Sequence, residues 1–251
     1  MYIVCNLTTQ KYKVLPKPSG LSSRSAMRRG AYLAFDPLKS PHYKVVVGSH
    51  YPRSKREPWY FEIDKYNSES GNWKTMIPPD TCCGCGVFWS GAIYWLVSYK
   101  NVLMRFKVDA EEMTALPLRR RSLSKESMKY FGACCDGLII IQTRSSSTLQ
   151  LFTLELKSDT CWWILKYCMN LETIGSAFPE IEYIFKFNVL CVVKGEKTED
   201  YALVLAIPGN VITYNMEKNT LGVFHDLVLG EQINEGVNGY AYPSVETLCL
   251  V

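Results

Sequence analysis

The sequence predicts an all-β protein built as a propeller of four-stranded antiparallel blades, and three observations carry that prediction. Few windows show the apolar i, i+3, i+4, i+7 spacing of an amphipathic helix. The apolar residues instead form short runs of four to eight, bounded by Gly, Asn, Asp and Ser, which is typical of strands separated by tight turns. A strand–turn–strand unit then recurs along the chain. With 47% apolar and 21% charged residues, the 251-residue chain also has the composition of a folded protein.

The recurring unit is an alternating apolar strand that ends in a polar residue, a short polar turn and a second strand. Five copies are predicted to form antiparallel hairpins, over residues 2–16, 59–76, 102–118, 149–166 and 211–225. Their anchor residues are 61, 42, 47 and 59 positions apart and are Asn6, Asn67, Asp109, Leu156 and Asn215. Propeller blades recur at roughly 40 to 50 residues and accept loop insertions, so this spacing favours one hairpin in each blade.

Two further strands precede each of the last four hairpins, which completes blades with strands a, b, c and d. The a and b strands are predicted at 32–35 and 43–47, 87–89 and 92–97, 130–131 and 138–141, and 187–193 and 201–207. Ser90-Gly91 and Asp136-Gly137 fit the a–b turns because glycine tolerates the positive φ of tight hairpins.

The first copy has only its c and d strands, so the propeller is predicted to be incomplete at its N terminus, with a truncated first blade. Residues 240–251 are predicted to form one further strand, suited to completing that blade. We therefore expect a single propeller domain over residues 1–251.

The basic residues are concentrated near the start of the chain. Residues 1–60 hold 11 basic and 2 acidic residues, whereas residues 61–251 hold 17 and 22, for a net charge of +4. In a four-stranded meander the b–c and d–a connections leave from the same end, and three basic clusters are predicted in such connections. We therefore expect one basic end that binds an acidic or phosphorylated protein partner; the alternative is a solvated surface. The predicted partner-binding residues are Arg28, Arg29, Arg53, Lys55, Arg56, Arg119, Arg120 and Arg121.

Nucleic-acid binding is disfavoured because aromatic side chains, on which bases would stack, do not interleave with these basic clusters. The tryptophans are predicted to lie on strands, where a large apolar side chain packs between blades. They are Trp59, Trp73, Trp89, Trp95, Trp162 and Trp163.

Catalysis, cofactors and metals are not expected. The sequence contains no nucleophile elbow, phosphate-binding loop or metal-binding histidine motif. Four aspartates are explained as strand-end and turn residues that bond their own backbone, namely Asp36, Asp64, Asp109 and Asp136. The spacing of Cys82, Cys83, Cys85, Cys134 and Cys135 does not match structural zinc arms, and no such arm is formed by His42, His50 and His225. All ten cysteines are expected to be reduced.

The cellular location is predicted from two features, the first residues of the sequence and the length of its apolar runs. Met1 is followed directly by a strand-like segment, without the features of a secretory signal, and the longest apolar run, 201–207, is far too short to span a bilayer. We expect a cytoplasmic or nuclear protein that does not bind membranes.

Several motifs together resemble the F-box-associated, kelch-like β-propeller domain of plant F-box proteins. The resemblance covers nearly the whole chain, and the order of the motifs is more specific than any one of them. They are Cys5-Asn-Leu-Thr-Thr-Gln10, Val14-Leu-Pro16, Leu33-Ala-Phe-Asp-Pro-Leu-Lys-Ser-Pro-His-Tyr-Lys-Val45, Gly91-Ala-Ile-Tyr-Trp95 and Phe106-Lys-Val-Asp109. One departure is Leu7, which stands where the family usually has proline.

This resemblance implies a protein–protein interaction module, the substrate-recognition domain of an SCF-type E3 ubiquitin ligase. In that family an N-terminal F-box docks the Skp adaptor, and residues 1–251 contain no F-box. Adaptor binding is therefore expected only if an F-box lies upstream. The alternative is a stand-alone or decoy propeller without a ligase link.

Overall fold

The fold of the protein was determined from a computed structural model. It describes residues 1–18, 27–51, 60–78, 86–97, 100–118, 128–134, 137–145, 148–157, 160–178, 187–194 and 201–226. In these residues strands dominate, and the one helix, α1 (Glu172–Ala177), has six residues. The prediction of an all-β fold is confirmed.

The described strands form one two-stranded sheet and four four-stranded sheets. The two-stranded sheet pairs β1 (Tyr2–Asn6) with β2 (Lys11–Leu15). Blade 1 comprises β3 (Met27–Ala34), β4 (Lys44–Tyr51), β5 (Tyr60–Asn67) and β6 (Asn72–Met76). Blade 2 comprises β7 (Gly86–Trp89), β8 (Ala92–Val97), β9 (Val102–Lys107) and β10 (Glu112–Pro117). Blade 3 comprises β11 (Met128–Cys134), β12 (Gly137–Ser145), β13 (Thr148–Lys157) and β14 (Thr160–Asn170). Blade 4 comprises β15 (Asn188–Lys194), β16 (Tyr201–Ile207), β17 (Asn210–Asn215) and β18 (Thr220–Asp226).

Strand order in every blade follows the chain, and neighbouring strands are antiparallel. Each blade is thus a meander with strands a, b, c and d, as the sequence predicts. All five predicted hairpins are confirmed, and the first copy contributes only its c and d strands among the described residues. The predicted closing strand at 240–251 lies outside the described residues.

The predicted turn chemistry explains how the hairpins reverse. The Asn6 side chain accepts hydrogen bonds from the backbone N–H groups of Thr8 and Thr9, at 2.9 and 3.1 Å. The side chains of Asn67 and Asn215 likewise each accept a hydrogen bond from a backbone N–H group of their own turn. In the a–b turn of blade 2, Ser90 and Gly91 both adopt positive φ, 46° and 79°, as a tight hairpin requires.

The described chain divides into two compact units, one comprising Met1–Pro117 and the other beginning at Leu118. In the first unit Tyr32 of β3 joins blades 1 and 2, because its hydroxyl accepts hydrogen bonds from the Gly86 backbone N–H and the Trp95 Nε1, at 2.9 and 3.2 Å. A Cβ atom on Gly86 would lie 2.5 Å from that hydroxyl, so glycine makes the approach possible. Trp95 also packs edge-on against Phe61 of blade 1.

The tryptophans of the described residues lie on strands, as predicted. Trp73 of β6 contacts the ring of Tyr2 and donates a hydrogen bond from Nε1 to the carbonyl of Pro16 at 2.7 Å, which ties blade 1 to the first hairpin. Trp59 lies outside the described residues.

The second unit has its own apolar core between blades 3 and 4. Ile139, Ile141 and Leu151 of blade 3 pack with Leu203 and Leu205 of blade 4. All five side chains are at most 2% exposed. The prediction of one domain over 1–251 stays a prediction.

Candidate partner-binding surface

Most of the predicted basic residues lie outside the described residues: they are Arg53, Lys55, Arg56, Arg119, Arg120 and Arg121. For Arg28 and Arg29 the structure describes the backbone. Both belong to β3, so they lie in strand a of blade 1 and not in the preceding connection, which corrects the predicted start of that strand. Arg28 pairs with Ser49 of β4, and a bulge follows it before Gly30.

The strand register places these two arginines at one particular end of blade 1. Strand β3 begins there, β4 ends there at Tyr51, and β5 begins there, with Tyr60 opposite Tyr51. The b–c connection at 52–59, which carries Arg53, Lys55 and Arg56, therefore leaves from the end where Arg28 and Arg29 lie. We call this end, defined by Met27, Tyr51 and Tyr60, the b–c end of blade 1.

A buried polar cluster lies in the sheet at the b–c end of blade 1. Ser49 pairs with Glu62, and Val47 pairs with Asp64 two residues further along each strand. Because side chains alternate along a strand, Ser49, Tyr51, Glu62 and Asp64 share one face of the sheet. Each of these four residues is at most 3% exposed.

The cluster is electrostatically unusual because two carboxylates are buried together. Burial raises the pKa of Glu62, the adjacent Tyr51 hydroxyl lowers it, and the nearby Asp64 carboxylate raises it further, for a net increase. Burial and the Glu62 charge raise the pKa of Tyr51 to about 12. Glu62 Oε2 has no hydrogen-bond partner among the described residues, whereas Asp64 Oδ1 accepts one from Thr75 Oγ1 at 2.6 Å.

This cluster corrects one interpretation made from the sequence. Asp64 is not a turn residue but a buried residue in the middle of β5. Asp36 does bond its own turn, accepting a hydrogen bond from the Leu38 N–H at 3.2 Å. Asp109 lies in a turn but pairs with Lys44 of blade 1, and Asp136 lies outside the described residues.

Ion pairs join blades 1 and 2 at the opposite end of the strands. The Glu111 carboxylate, in the β9–β10 turn, accepts hydrogen bonds from Lys65 of β5 and Lys74 of β6, and Asp109 pairs with Lys44 of β4. The Lys65 side chain is only 10% exposed and that of Glu111 is 23% exposed. Hydrogen bonds from the two lysines lower the pKa of Glu111 below its usual range.

His50 is a core residue and His42 a surface residue. His50 is 2% exposed and its ring packs against Phe61 at 4.9 Å, whereas His42 is exposed. In the part of the chain that the structure describes, no three His, Cys, Asp or Glu side chains form a group able to hold a metal ion. Of the five cysteines considered for zinc, Cys134 is among the described residues and is partly buried. The prediction of ten reduced, metal-free cysteines stays a prediction.

One exposed surface and one buried site were not predicted from the sequence. Ile3, Tyr12 and Val14 of the first hairpin are large apolar side chains at least 49% exposed. The unbroken apolar run at residues 1–5 was a signal for this surface, because it puts apolar side chains on both faces of β1. The alternation of Glu62 and Asp64 in β5 was a weaker signal for the buried acidic pair.

The family to which the chain belongs follows from comparison with known proteins. Residues 1–226 match the F-box associated beta propeller domain, so the chain belongs to that family, whose propellers are interaction modules. The predicted fold and resemblance are thereby confirmed.

Two curated relatives come from Arabidopsis thaliana. The chain is 28% identical over 243 residues to "F-box protein At5g07610", covering 87% of this chain and 56% of the relative. It is 27% identical over 131 residues to "Putative F-box protein At1g76830", covering 46% of this chain and 29% of the relative. The chain thus spans about half the length of the first relative and under a third of the second.

A solved structure, "Crystal structure of HIRA(644-1017)", aligns with 84% of this chain and 56% of its own, at 11% identity and a TM-score of 0.35. Among the described helices none is long and apolar enough to cross a membrane.

Proposed function

We propose that this chain recognises protein substrates for an SCF-type E3 ubiquitin ligase. The observation that carries the proposal is the match to the F-box associated propeller family over residues 1–226, together with two relatives named as F-box proteins. A propeller of this family binds a protein partner. Its role in the ligase would then be to hold that partner while the ubiquitin-transfer machinery is attached through a separate adaptor-binding segment.

The basic residues identified from the sequence suggest the chemistry of the partner. Arg28 and Arg29 lie at the b–c end of blade 1, from which the connection with Arg53, Lys55 and Arg56 also leaves. Arginine binds carboxylate and phosphate groups through two parallel hydrogen bonds, and a set of like charges raises the association rate. We therefore propose an acidic or phosphorylated protein substrate.

Adaptor binding tests the link to the ligase. The tagged 251-residue chain should not retain the Skp adaptor in a pull-down, whereas a fusion carrying an F-box at its N terminus should retain it. The reason is that the adaptor docks on the F-box and not on the propeller. Retention by the chain alone would show that the propeller itself docks the adaptor. A fusion that binds adaptor but captures no protein from cell extract would favour a stand-alone or decoy scaffold.

Charge reversal tests the basic residues. Changing Arg119, Arg120 and Arg121 together to Glu should weaken a captured acidic partner. We also expect little change in thermal stability, because the sequence predicts these arginines in a loop and an exposed charge contributes only about 0 to 1 kcal/mol. Binding to the unchanged chain should also weaken with added salt. A control carries the same charge change at exposed lysines of the described residues, namely Lys39, Lys166 and Lys218. Equal weakening in both variants would assign the effect to net charge and contradict a specific basic site.

A further inference from the structure

An exposed turn connects strands a and b of blade 1. The backbone N–H groups of Lys39 and Ser40 both donate to the carbonyl of Asp36, at 3.0 and 3.1 Å, which closes the turn. Leu38 is 96% exposed, and Pro37 and Lys39 are also exposed. The turn is therefore accessible to another protein, and it lies at the end of the strands opposite the b–c end.

A serine followed by proline comes directly after this turn. Ser40-Pro41 is the one Ser-Pro or Thr-Pro dipeptide in the sequence. Ser40 is partly exposed, and Pro41 and His42 are exposed. The His42 backbone N–H donates a hydrogen bond to Ser40 Oγ at 3.0 Å, so the hydroxyl oxygen has a defined position at the surface.

The proline gives Ser40 the properties of a kinase substrate. A residue that precedes proline is restricted to extended conformations, and protein kinases bind their acceptor residue in an extended segment. Proline also lacks a backbone N–H, so a kinase accepts proline at this position only in a pocket that needs no such donor. Proline-directed serine/threonine kinases have this specificity.

The charges beside Ser40 are compatible with a phosphate group. Asp36 and Lys39 form an ion pair at 3.0 Å, and they are the one acidic and the one basic residue of the segment 36–42. Their side chains are 43% and 76% exposed, so this pair stabilises the turn little and the lysine is free to pair with a new anion. A phosphoserine adds about 1.5 to 2 negative charges, which the adjacent lysine compensates in part.

We infer that Ser40 is a phosphorylation site for a proline-directed serine/threonine kinase. The Ser40 hydroxyl attacks the γ-phosphorus of ATP, a bond forms between Oγ and phosphorus, and the bond from phosphorus to the β-phosphate oxygen breaks, so that ADP leaves. The hydroxyl proton passes to the aspartate of the kinase catalytic loop. The segment 36–42 then changes from a formal charge of zero to about −2.

This modification is separable from partner binding at the b–c end of blade 1. Strand β3 has eight residues, so at about 3.3 Å per residue the two ends of the blade are roughly 25 Å apart. Surface charges are screened beyond about 8 Å at physiological ionic strength. The phosphorylated and unphosphorylated chains should therefore bind an acidic partner at the basic b–c end equally well, and failure of the inference would leave the proposed function standing.

The test uses the full chain, a purified cyclin-dependent kinase as the proline-directed enzyme, and ATP with Mg²⁺. Intact-mass and peptide mass spectrometry should find one phosphoryl group, on Ser40. Ser40→Ala should abolish its uptake, and Pro41→Ala should slow it about tenfold or more, because the proline selects the kinase. A synthetic peptide of residues 34–44, with and without Pro41→Ala, measures the effect of the proline without any contribution from folding.

Ser70 provides a matched control. It lies in the exposed turn between β5 and β6 and is followed by glycine instead of proline. Ser70 should remain unmodified, and Ser70→Ala should take up phosphate like the unchanged chain. All three variants should keep the thermal midpoint within about 2 °C of the unchanged chain, because surface substitutions change stability little.

Three results would overturn the inference. The first is no uptake at Ser40 in the folded chain. The second is an equal rate for the unchanged and Pro41→Ala forms of the peptide, which would show that the proline does not define the site. The third is uptake by the unchanged peptide more than about a hundredfold faster than by the folded chain, which would show that the hydroxyl is reached only after local unfolding.

Discussion

The variant Glu111→Gln is expected to lose about 2 to 3 kcal/mol of unfolding free energy at neutral pH. Glu111 holds two lysines of the neighbouring blade, and Lys65 is almost completely buried beside it. Removing one partner of a buried ion pair leaves the other charge without compensation, which costs about 3 to 5 kcal/mol when burial is complete. Glu111 keeps some contact with water, so we expect a smaller loss. Urea denaturation followed by circular dichroism measures it.

The neighbouring residue provides a matched control. Glu112 pairs with Lys107 at 3.0 Å, but both side chains are about half exposed, so Glu112→Gln should change stability by less than about 1 kcal/mol. Equal effects of the two variants would contradict a special role for Glu111.

The pH dependence of the Glu111 effect has a definite sign. The pKa of Glu111 is lower in the folded protein than in the unfolded chain. Its stabilising contribution is therefore complete above the unfolded pKa, near 4.3, and is lost as the pH falls through the lowered folded value. The difference between the unchanged chain and Glu111→Gln should shrink in acid.

The backbone at Glu111 supports a role for its side chain. In the four c–d hairpin turns that the structure describes, the last residue has a positive φ, of 54° at Gln10, 73° at Gly71, 57° at Glu111 and 54° at Asn219. Glycine and asparagine adopt this conformation more readily than glutamate. Glutamate in this place has a less favoured backbone conformation, as Gln10 has in the first hairpin, and from there its carboxylate reaches the two lysines of blade 1.

Much of the fold could be predicted because its determinants are local. Period-two alternation identifies the strands, and residues such as Asn67 and Gly91 identify the turns by the hydrogen bonds and positive φ that they provide. Strand β3 was predicted to start too late because Met27, Arg28 and Arg29 do not continue the apolar alternation of the strand. Pairing with β4 overrides that local pattern.

The contacts between blades could not be predicted because they depend on register across sheets. Nothing near Glu111 in the sequence indicates that its partners are Lys65 and Lys74. Likewise, Asp64 has the composition of a turn residue and its location becomes evident only when β5 pairs with β4 on one side and β6 on the other. The local sequence therefore predicts the strands and turns, whereas the pairing of strands that are distant in sequence decides which charged side chains are buried.

Glu62 is the buried charge with the least compensation in the described part of the chain. It is 2% exposed, and Oε2 lacks a hydrogen-bond partner among the described residues. Burial raises the pKa of Glu62 in the folded protein. At a pH between the unfolded and the folded pKa, the folded protein therefore holds a proton that the unfolded chain has released. Below the pKa of Glu62 in the unfolded chain, this residue does not reduce the free energy of unfolding. The free energy of unfolding falls as the pH rises toward the pKa of Glu62 in the folded protein, and the loss persists above that pKa.

Glu62→Gln is therefore expected to raise the unfolding free energy at neutral pH by about 1 to 2 kcal/mol, because the amide keeps the shape of the side chain without an ionisable group. Thermal and urea unfolding near neutral pH and near pH 4 measure the effect, which should vanish in acid. The exposed Glu217 is a control, and Glu217→Gln should have no effect at either pH. A loss of stability in Glu62→Gln at neutral pH would contradict this account. It would show that the ionised carboxylate is compensated, and the connection at 52–59, with its three basic residues, would be the first place to seek the compensating charge.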